Sequence, residues 1–222
     1  MAEQTFAKPI RILHSLFALA VIAQLSVGHL MTVPEVEDPA EQHTSMQLVT
    51  PVFAHESDEA LILNADGSVE ESLGFEVHEF LGLFIAGLMV IRILLAMTSL
   101  PGANWRELFP WMSADGRKQL AHELSTQMSG WVKLKLAPPE GGEAVARSVH
   151  GFILIATAIM AISGTRLYFG WSTSAPQTDA VEAIAEIHET VVVILQALLA
   201  MHIGAVVLHQ MQGHNILAKI KP

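Results

Sequence analysis

Four long apolar segments constrain this chain more than any other feature of its sequence. A lipid core about 30 Å thick needs roughly 20 mainly apolar residues in helical form. The segments that meet this requirement are Ile10–Thr32, Phe75–Thr98, Val149–Gly170 and Ile187–Met211. The first is too long for a signal peptide and no small-residue cleavage site follows it, so we expect it to be retained. The sequence therefore predicts an all-α membrane protein, an up-down-up-down bundle of four transmembrane helices.

Basic residues outside these segments indicate how the bundle is oriented, because loops rich in Lys and Arg stay in the cytoplasm. They are concentrated in the amino-terminal tail, in loop 99–148 and in the carboxyl tail. Loop 33–74 has no Lys or Arg and is strongly acidic, and only Arg166 departs from the pattern. We therefore expect a single membrane domain over residues 1–222, with both termini in the cytoplasm and loop 33–74 outside.

The predicted outer loop, 33–74, is acidic along most of its length. Its stretch LILNADGSVEE predicts a hairpin, because the Asp-Gly pair favours a tight turn. The acidic residues form either a solvated cap or a docking surface, since a surface of one sign attracts a partner of the opposite charge.

The predicted cytoplasmic loop, 99–148, contains an amphipathic stretch. Ser113 is a favourable helix cap and predicts a helix from there to about Gln127. Three tryptophans favour a position at the headgroup level, and they are Trp105, Trp111 and Trp131. A helix on the membrane surface is the simpler interpretation, and contact with a cytoplasmic partner is the alternative.

The composition limits the chemistry available to such a bundle. The chain has no cysteine, which excludes disulfides, iron–sulfur clusters, covalently attached haem and thiolate zinc sites. Its formal net charge of −10 argues against nucleic acid as a partner, because phosphate binding needs clustered Lys and Arg. The 11 histidines nearly equal the 12 Lys and Arg residues, and imidazole binds haem iron and transition metals.

Four of the seven histidines inside the apolar segments form two pairs that are matched in depth. His78 and His188 lie near the outer side, whereas His14 and His202 lie towards the cytoplasm. The two on the fourth segment share one helix face and are about 21 Å apart along its axis. An ionisable side chain in lipid is a functional candidate. Because two imidazoles from facing helices can clamp the iron of a b-type haem, the depths predict two haems, held by His78 with His188 and by His14 with His202.

At these residues the sequence resembles the prokaryotic cytochrome b561 family, which includes the b-type cytochrome subunits of nickel–iron hydrogenases and respiratory formate dehydrogenase. The likeness is carried by one motif in each segment, RILHSLFAL, VHEFLGLFIAGLMVIRILL, ARSVHGFILIATAIMAISG and IHETVVVILQALLAMHIGAVVLHQ. It also covers the tail GHNILAKIKP but not the two long loops. The resemblance implies the same two ligand pairs that depth predicts, and a bacterial inner membrane location.

Other histidines leave alternatives open. His29 lies at the outer level of the first segment and could replace either outer ligand. His150, at the start of the third segment, is expected to hydrogen-bond a haem propionate or a lipid phosphate. His209 lies two turns beyond the cytoplasmic ligand of its segment and is predicted either to contact a propionate or quinone or to be an ordinary interfacial residue. The remaining histidines are expected to be solvated, and they are His43, His55, His122 and His214.

Two arginines and several glycines complete the predicted cofactor surroundings. Arg92 either extends to the headgroups or pairs with a haem propionate, and Arg166 could pair with a propionate on the outer side. Glycines leave room for a flat macrocycle beside the backbone, and those in the segments include Gly82, Gly151, Gly164 and Gly204.

Electron transfer across the membrane is the function that this pattern favours, because the haem supplies the redox chemistry and the protein supplies ligands and spacing. By the resemblance, a quinone such as ubiquinone or menaquinone would bind beside the cytoplasmic haem. Candidate partners are membrane lipid, a periplasmic cytochrome c, a dehydrogenase or hydrogenase subunit, and a second copy of the chain. The alternatives are a stand-alone superoxide or quinone oxidoreductase, and a metal or haem transporter. A transporter more often has intramembrane carboxylates or broken helices.

Overall fold

A computed structural model describes residues 6–34, 72–98, 100, 103–133, 135–136, 143–214 and 216–220. Within these residues the chain forms α-helices and two short 3₁₀ turns, and it has no β-strand. The helices are α1 (Lys8–Leu30), α2 (Leu73–Ala96), α3 (Trp105–Leu108), α4 (Ala114–Trp131), α5 (Glu143–Gly170) and α6 (Asp179–Met211). The hairpin predicted in LILNADGSVEE lies outside the described residues, as do His43 and His55.

Four of these helices are long and apolar enough to cross a membrane, namely α1, α2, α5 and α6. They overlap the four apolar segments, but α5 and α6 begin earlier than predicted, because about two turns that carry charged residues precede each apolar stretch. Large apolar side chains point outwards along them, with exposed fractions of 70% for Leu19, 71% for Phe80 and 78% for Phe169. Such exposure suits a helix surrounded by lipid rather than by water. The predicted all-α membrane fold with four spans is confirmed.

The chain divides into two compact units, and each contains a part of all four spanning helices. Unit 1 comprises the described residues of Met1–Phe17, Gly87–Met160 and Thr190–Pro222. It thus contains the first parts of α1 and α5, the last parts of α2 and α6, and all of α3 and α4. Its buried apolar side chains include Leu13, Leu88, Met89, Ala156 and Leu195.

Unit 2 comprises the described residues of Ala18–Ala86 and Ala161–Glu189. Ser72 caps α2, because its hydroxyl oxygen accepts a hydrogen bond from the Phe75 backbone N–H at 3.2 Å. The same hydroxyl donates to the carbonyl of Thr32 at 3.1 Å, which joins the end of α1 to the start of α2. Each unit combines the starts of two spanning helices with the ends of the other two. Consecutive spans therefore run in opposite directions, as the predicted up-down-up-down order requires.

Helix α4 confirms the cap predicted at Ser113, whose hydroxyl accepts from the Gly116 N–H at 3.0 Å. The helix ends at Trp131, one turn beyond the predicted end. Its buried Glu123 carboxylate accepts hydrogen bonds from the backbone N–H groups of Ala144 at 3.2 Å and Val145 at 3.0 Å. A carboxylate at a helix N-terminus satisfies unpaired N–H groups and opposes the positive end of the helix dipole. Glu123 thereby attaches α4 to the first turn of α5.

Candidate functional site

Unit 1 brings together His14 from α1 and His202 from α6. Their ring centroids are 6.4 Å apart, with the ring planes inclined at 59°. Both side chains are half-buried. These residues are far apart in the sequence, so the helix arrangement creates the pair.

Unit 2 contains a second pair with the same spacing, His78 from α2 and His188 from α6. Their ring centroids are also 6.4 Å apart, with the planes inclined at 73°. The Nδ1 atom of His78 is buried and has no hydrogen-bond partner among the described residues. A buried ring nitrogen without a partner costs free energy, so hydrogen bonding through Nδ1 does not stabilise the His78 ring in this position.

The centroid spacing in both pairs suits a metal held between two imidazoles. A transition metal binds an imidazole nitrogen at about 2.0 Å, and the ring centroid lies roughly 1.1 Å beyond that nitrogen. Two rings on opposite sides of one ion would therefore have centroids about 6.2 Å apart. The observed value of 6.4 Å in each pair is close to this separation. No cluster of three or more His, Cys, Asp or Glu side chains that could hold a metal ion occurs among the described residues.

Ser163 of α5 supports the second pair. Its hydroxyl oxygen lies 2.8 Å from Nδ1 of His188, and its side chain is buried. A hydrogen bond at Nδ1 fixes the orientation of the ring and leaves Nε2 for a metal. Ser163 was not predicted from the sequence, although a hydroxyl in an apolar helix, directly before Gly164, was a signal.

Two glycines lie directly against the rings of this pair. A Cβ atom at Gly164 would lie 3.1 Å from Cε1 of His188, and one at Gly28 would lie 3.2 Å from Cε1 of His78. Gly164 was among the glycines predicted to leave room at the cofactor, whereas Gly28 was missed. Gly28 lies directly before His29, the histidine that was considered as a replacement outer ligand.

The other predicted glycines have different surroundings. Gly151 lets α5 pack closely against the 105–112 segment, because a Cβ there would collide with the Leu108 carbonyl and the Trp111 ring. Gly151 therefore has a role in helix packing, rather than the predicted role of leaving room for a macrocycle. A Cβ at Gly82 would lie 3.3 Å from the Gln24 amide nitrogen, and one at Gly204 would meet nothing within 4 Å.

His150 lies deeper in the helix than the sequence predicted. Because α5 begins at Glu143, His150 lies two turns inside the helix rather than at its start. Its ring centroid is 4.8 Å from that of His202, with the ring planes inclined at 67°. His150 therefore contacts the first pair directly, and a contact with a propionate or lipid phosphate stays a prediction.

The arginines predicted to contact propionates have different environments. Arg92 is buried, and its Nη1 atom donates a hydrogen bond to the Ala103 carbonyl at 2.9 Å. It therefore anchors the segment that follows α2, a role the sequence did not indicate, and its propionate contact stays a prediction. Arg166 is exposed.

The remaining candidate histidines lie on α1 and at the end of α6. His29 is exposed, so the geometry favours His78 with His188 over a pair that includes it.

His209 lies with its Nδ1 atom 3.0 Å from Nδ1 of His214. The expectation that His214 is simply solvated is wrong, because its half-buried side chain is bonded to His209. A propionate or quinone contact of His209 stays a prediction.

The four apolar helices and the two facing histidine pairs suit a b-type cytochrome that spans a membrane. A family model described as prokaryotic cytochrome b561 matches residues 5–222, nearly the whole chain. The chain belongs to this family, and its function is electron transfer across the membrane by haem b. The match does not extend to the hydrogenase or formate dehydrogenase subtype. No curated protein and no solved structure matches the chain.

Replacing Gly28 by valine should lower the amount of haem that the purified protein retains. The new side chain would crowd the His78 ring, because even its Cβ atom would lie 3.2 Å from Cε1. The measurement is the haem content per chain from the pyridine haemochrome spectrum. Gly87→Val is the matched control, because a Cβ at that helical glycine meets nothing within 4 Å. Equal haem content in the two variants would show that Gly28 does not hold space for the ring.

Proposed function

We propose that the chain transfers electrons across the membrane through two b haems, one bound by His14 and His202 and the other by His78 and His188. The observation that carries this proposal is the 6.4 Å spacing of the ring centroids in both pairs, which is close to that of two imidazoles on one iron. When bound, each haem supplies a one-electron iron couple.

The protein's own residues determine where and how each cofactor is held. His14 with His202, and His78 with His188, would each hold one haem through two imidazoles, which would leave no place on the iron for a substrate and suits electron transfer. Ser163 orients His188, while Gly28 and Gly164 keep the space next to the rings free of side chains. The lipid-facing apolar helices exclude water, which lowers the local dielectric around the site.

His202→Ala and His78→Ala should each reduce the haem content by about half, because each removes one axial ligand of one haem. The double variant should retain almost none. Haem per chain and the dithionite-reduced spectrum are measured on protein purified in detergent. His122→Ala is the control, because this exposed histidine of α4 belongs to neither pair. Full haem content in either single variant would contradict the assignment of that pair.

Ser163→Ala should leave both haems bound and raise the reduction potential of one of them. With Nε2 on the iron, Nδ1 of His188 carries a proton and donates it to the Ser163 hydroxyl, which makes the imidazole a stronger donor and favours ferric iron. A hydrogen bond worth about 1 kcal/mol corresponds to about 40 mV for one electron, so a rise of a few tens of mV is expected.

Potentiometric titration of the two haems measures this change. Ser148→Ala is the matched control, because Ser148 is an equally buried serine of α5 whose hydroxyl donates to the Ala144 carbonyl of its own helix. An unchanged or lowered potential in the Ser163 variant, or the same rise in the control, would contradict a contact between Ser163 and an iron-bound imidazole.

We further propose that the electrons pass between a donor or acceptor on the outer side and a membrane quinone, with both termini in the cytoplasm. The distribution of Lys and Arg supports this orientation. His150 beside His202 offers a polar group at the first pair, where a quinone carbonyl needs a hydrogen-bond donor. The acidic composition of loop 33–74 favours a basic outer partner, such as a cytochrome c or a dehydrogenase subunit.

A reduced short-chain quinone should reduce the haem of the purified protein in the absence of any other subunit. The absorbance of the reduced haem after rapid mixing with decylubiquinol or a menaquinol analogue measures the reaction. A chain that dithionite reduces but neither quinol reduces would contradict the quinone part of the proposal. The haem part would still stand.

A further inference from the structure

The carboxyl end of α6 folds back on itself through a left-handed glycine. Gly213 has φ of 82°, a conformation that glycine adopts without a steric penalty. The backbone N–H of His214 donates to the carbonyl of His209 at 2.9 Å, and the N–H of Gly213 donates to that of Gln210 at 3.0 Å. These two bonds form a Schellman motif, in which the side chains at the first and last of the bonded positions come into contact. Here those positions are both histidines.

The two imidazoles meet through the same nitrogen of each ring. Nδ1 of His209 and Nδ1 of His214 are 3.0 Å apart, and the ring centroids are 5.2 Å apart. At this distance one nitrogen donates a proton and the other accepts it. A helix cap ordinarily has an apolar contact at these positions, so two imidazoles are an unusual choice for a purely structural turn.

We propose that His209 and His214 form a binding site for a divalent transition metal ion such as Zn²⁺ or Cu²⁺, in which both Nδ1 atoms bind one ion. Metal–imidazole bonds are about 2.0–2.1 Å long, so two neighbouring nitrogens on one ion are roughly 2.9 to 3.4 Å apart. The observed 3.0 Å already lies in this range. Imidazole is a preferred ligand of zinc, copper and nickel ions, whereas magnesium and calcium prefer oxygen.

Binding requires a rearrangement of one proton and a small turn of the rings. The proton between the two Nδ1 atoms leaves that position, and Nε2 of the same ring takes up a proton from solvent, so a neutral pair keeps its charge. Small rotations of the rings then direct both Nδ1 lone pairs to one point. Both side chains are half-buried and so retain access to solvent.

Water completes the coordination of the ion. The described residues contain no group of three metal-binding His, Cys, Asp or Glu side chains, so His209 and His214 have no such third partner there. A site with two protein ligands and open positions binds reversibly and exchanges its ion with solution. This proposal is independent of the haem assignments, because neither histidine belongs to the two proposed axial pairs.

Isothermal titration of the haem-loaded, full-length protein with zinc chloride tests the site after residual metal is removed with a chelator. Wild-type protein should bind one ion more tightly than either His209→Gln or His214→Gln, with the affinity falling roughly tenfold or more when one ligand is lost. His122→Gln should bind like wild type, because this exposed histidine lies on α4. Unchanged zinc affinity in either ligand variant would overturn the proposal, as would an equal loss in the control.

X-ray absorption at the zinc edge provides a second test that the haem iron does not disturb. Zinc bound to the wild-type protein should show scattering from two imidazoles together with oxygen ligands, and zinc added to His214→Gln should show at most one imidazole. This readout depends on direct ligation, so a variant that merely loosens the tail does not imitate it. A wild-type spectrum with one imidazole or none would overturn the proposal.

Discussion

An imidazole inside a membrane-spanning helix has to be bonded, because lipid offers no water to compensate for a buried polar group. Four of the imidazoles in the spanning helices of this chain lie in two facing pairs with the same 6.4 Å centroid spacing. A direct hydrogen bond would bring the rings closer together, and a lipid-facing position would separate them. This spacing suits two rings that share one metal, and the prokaryotic cytochrome b561 family, to which the chain belongs, carries haem b.

Much of the surrounding structure serves to hold these rings at that distance. The alternating direction of the helices places the start of α1 beside the end of α6 in unit 1, so His14 meets His202. Gly28 and Gly164 lie where any larger residue would press on an imidazole, and Ser163 fixes one ring through Nδ1. The Glu123 carboxylate holds α4 against the first turn of α5, and α5 also bears His150.

The apolar segments and the depth of the histidines were sufficient to predict the fold class and to name the residues that meet. The length of an apolar stretch identifies a spanning helix. The position of a histidine within that stretch then gives its depth in the membrane, and this needs no knowledge of the other helices. What the sequence did not reveal are the other contacts between helices, since these depend on how each helix is rotated about its axis. Ser163, Gly28 and the His150 ring beside His202 belong to this group. His214 was missed for a local reason, because its position depends on the left-handed turn at Gly213.

Electron paramagnetic resonance of the oxidised wild-type protein, combined with haem quantification per chain, tests the central claim most directly. Two haems per chain, both with the low-spin ferric signals of bis-imidazole ligation, are the predicted result. A single haem per chain, or a high-spin signal from an iron that lacks a second imidazole, would contradict the paired-histidine account.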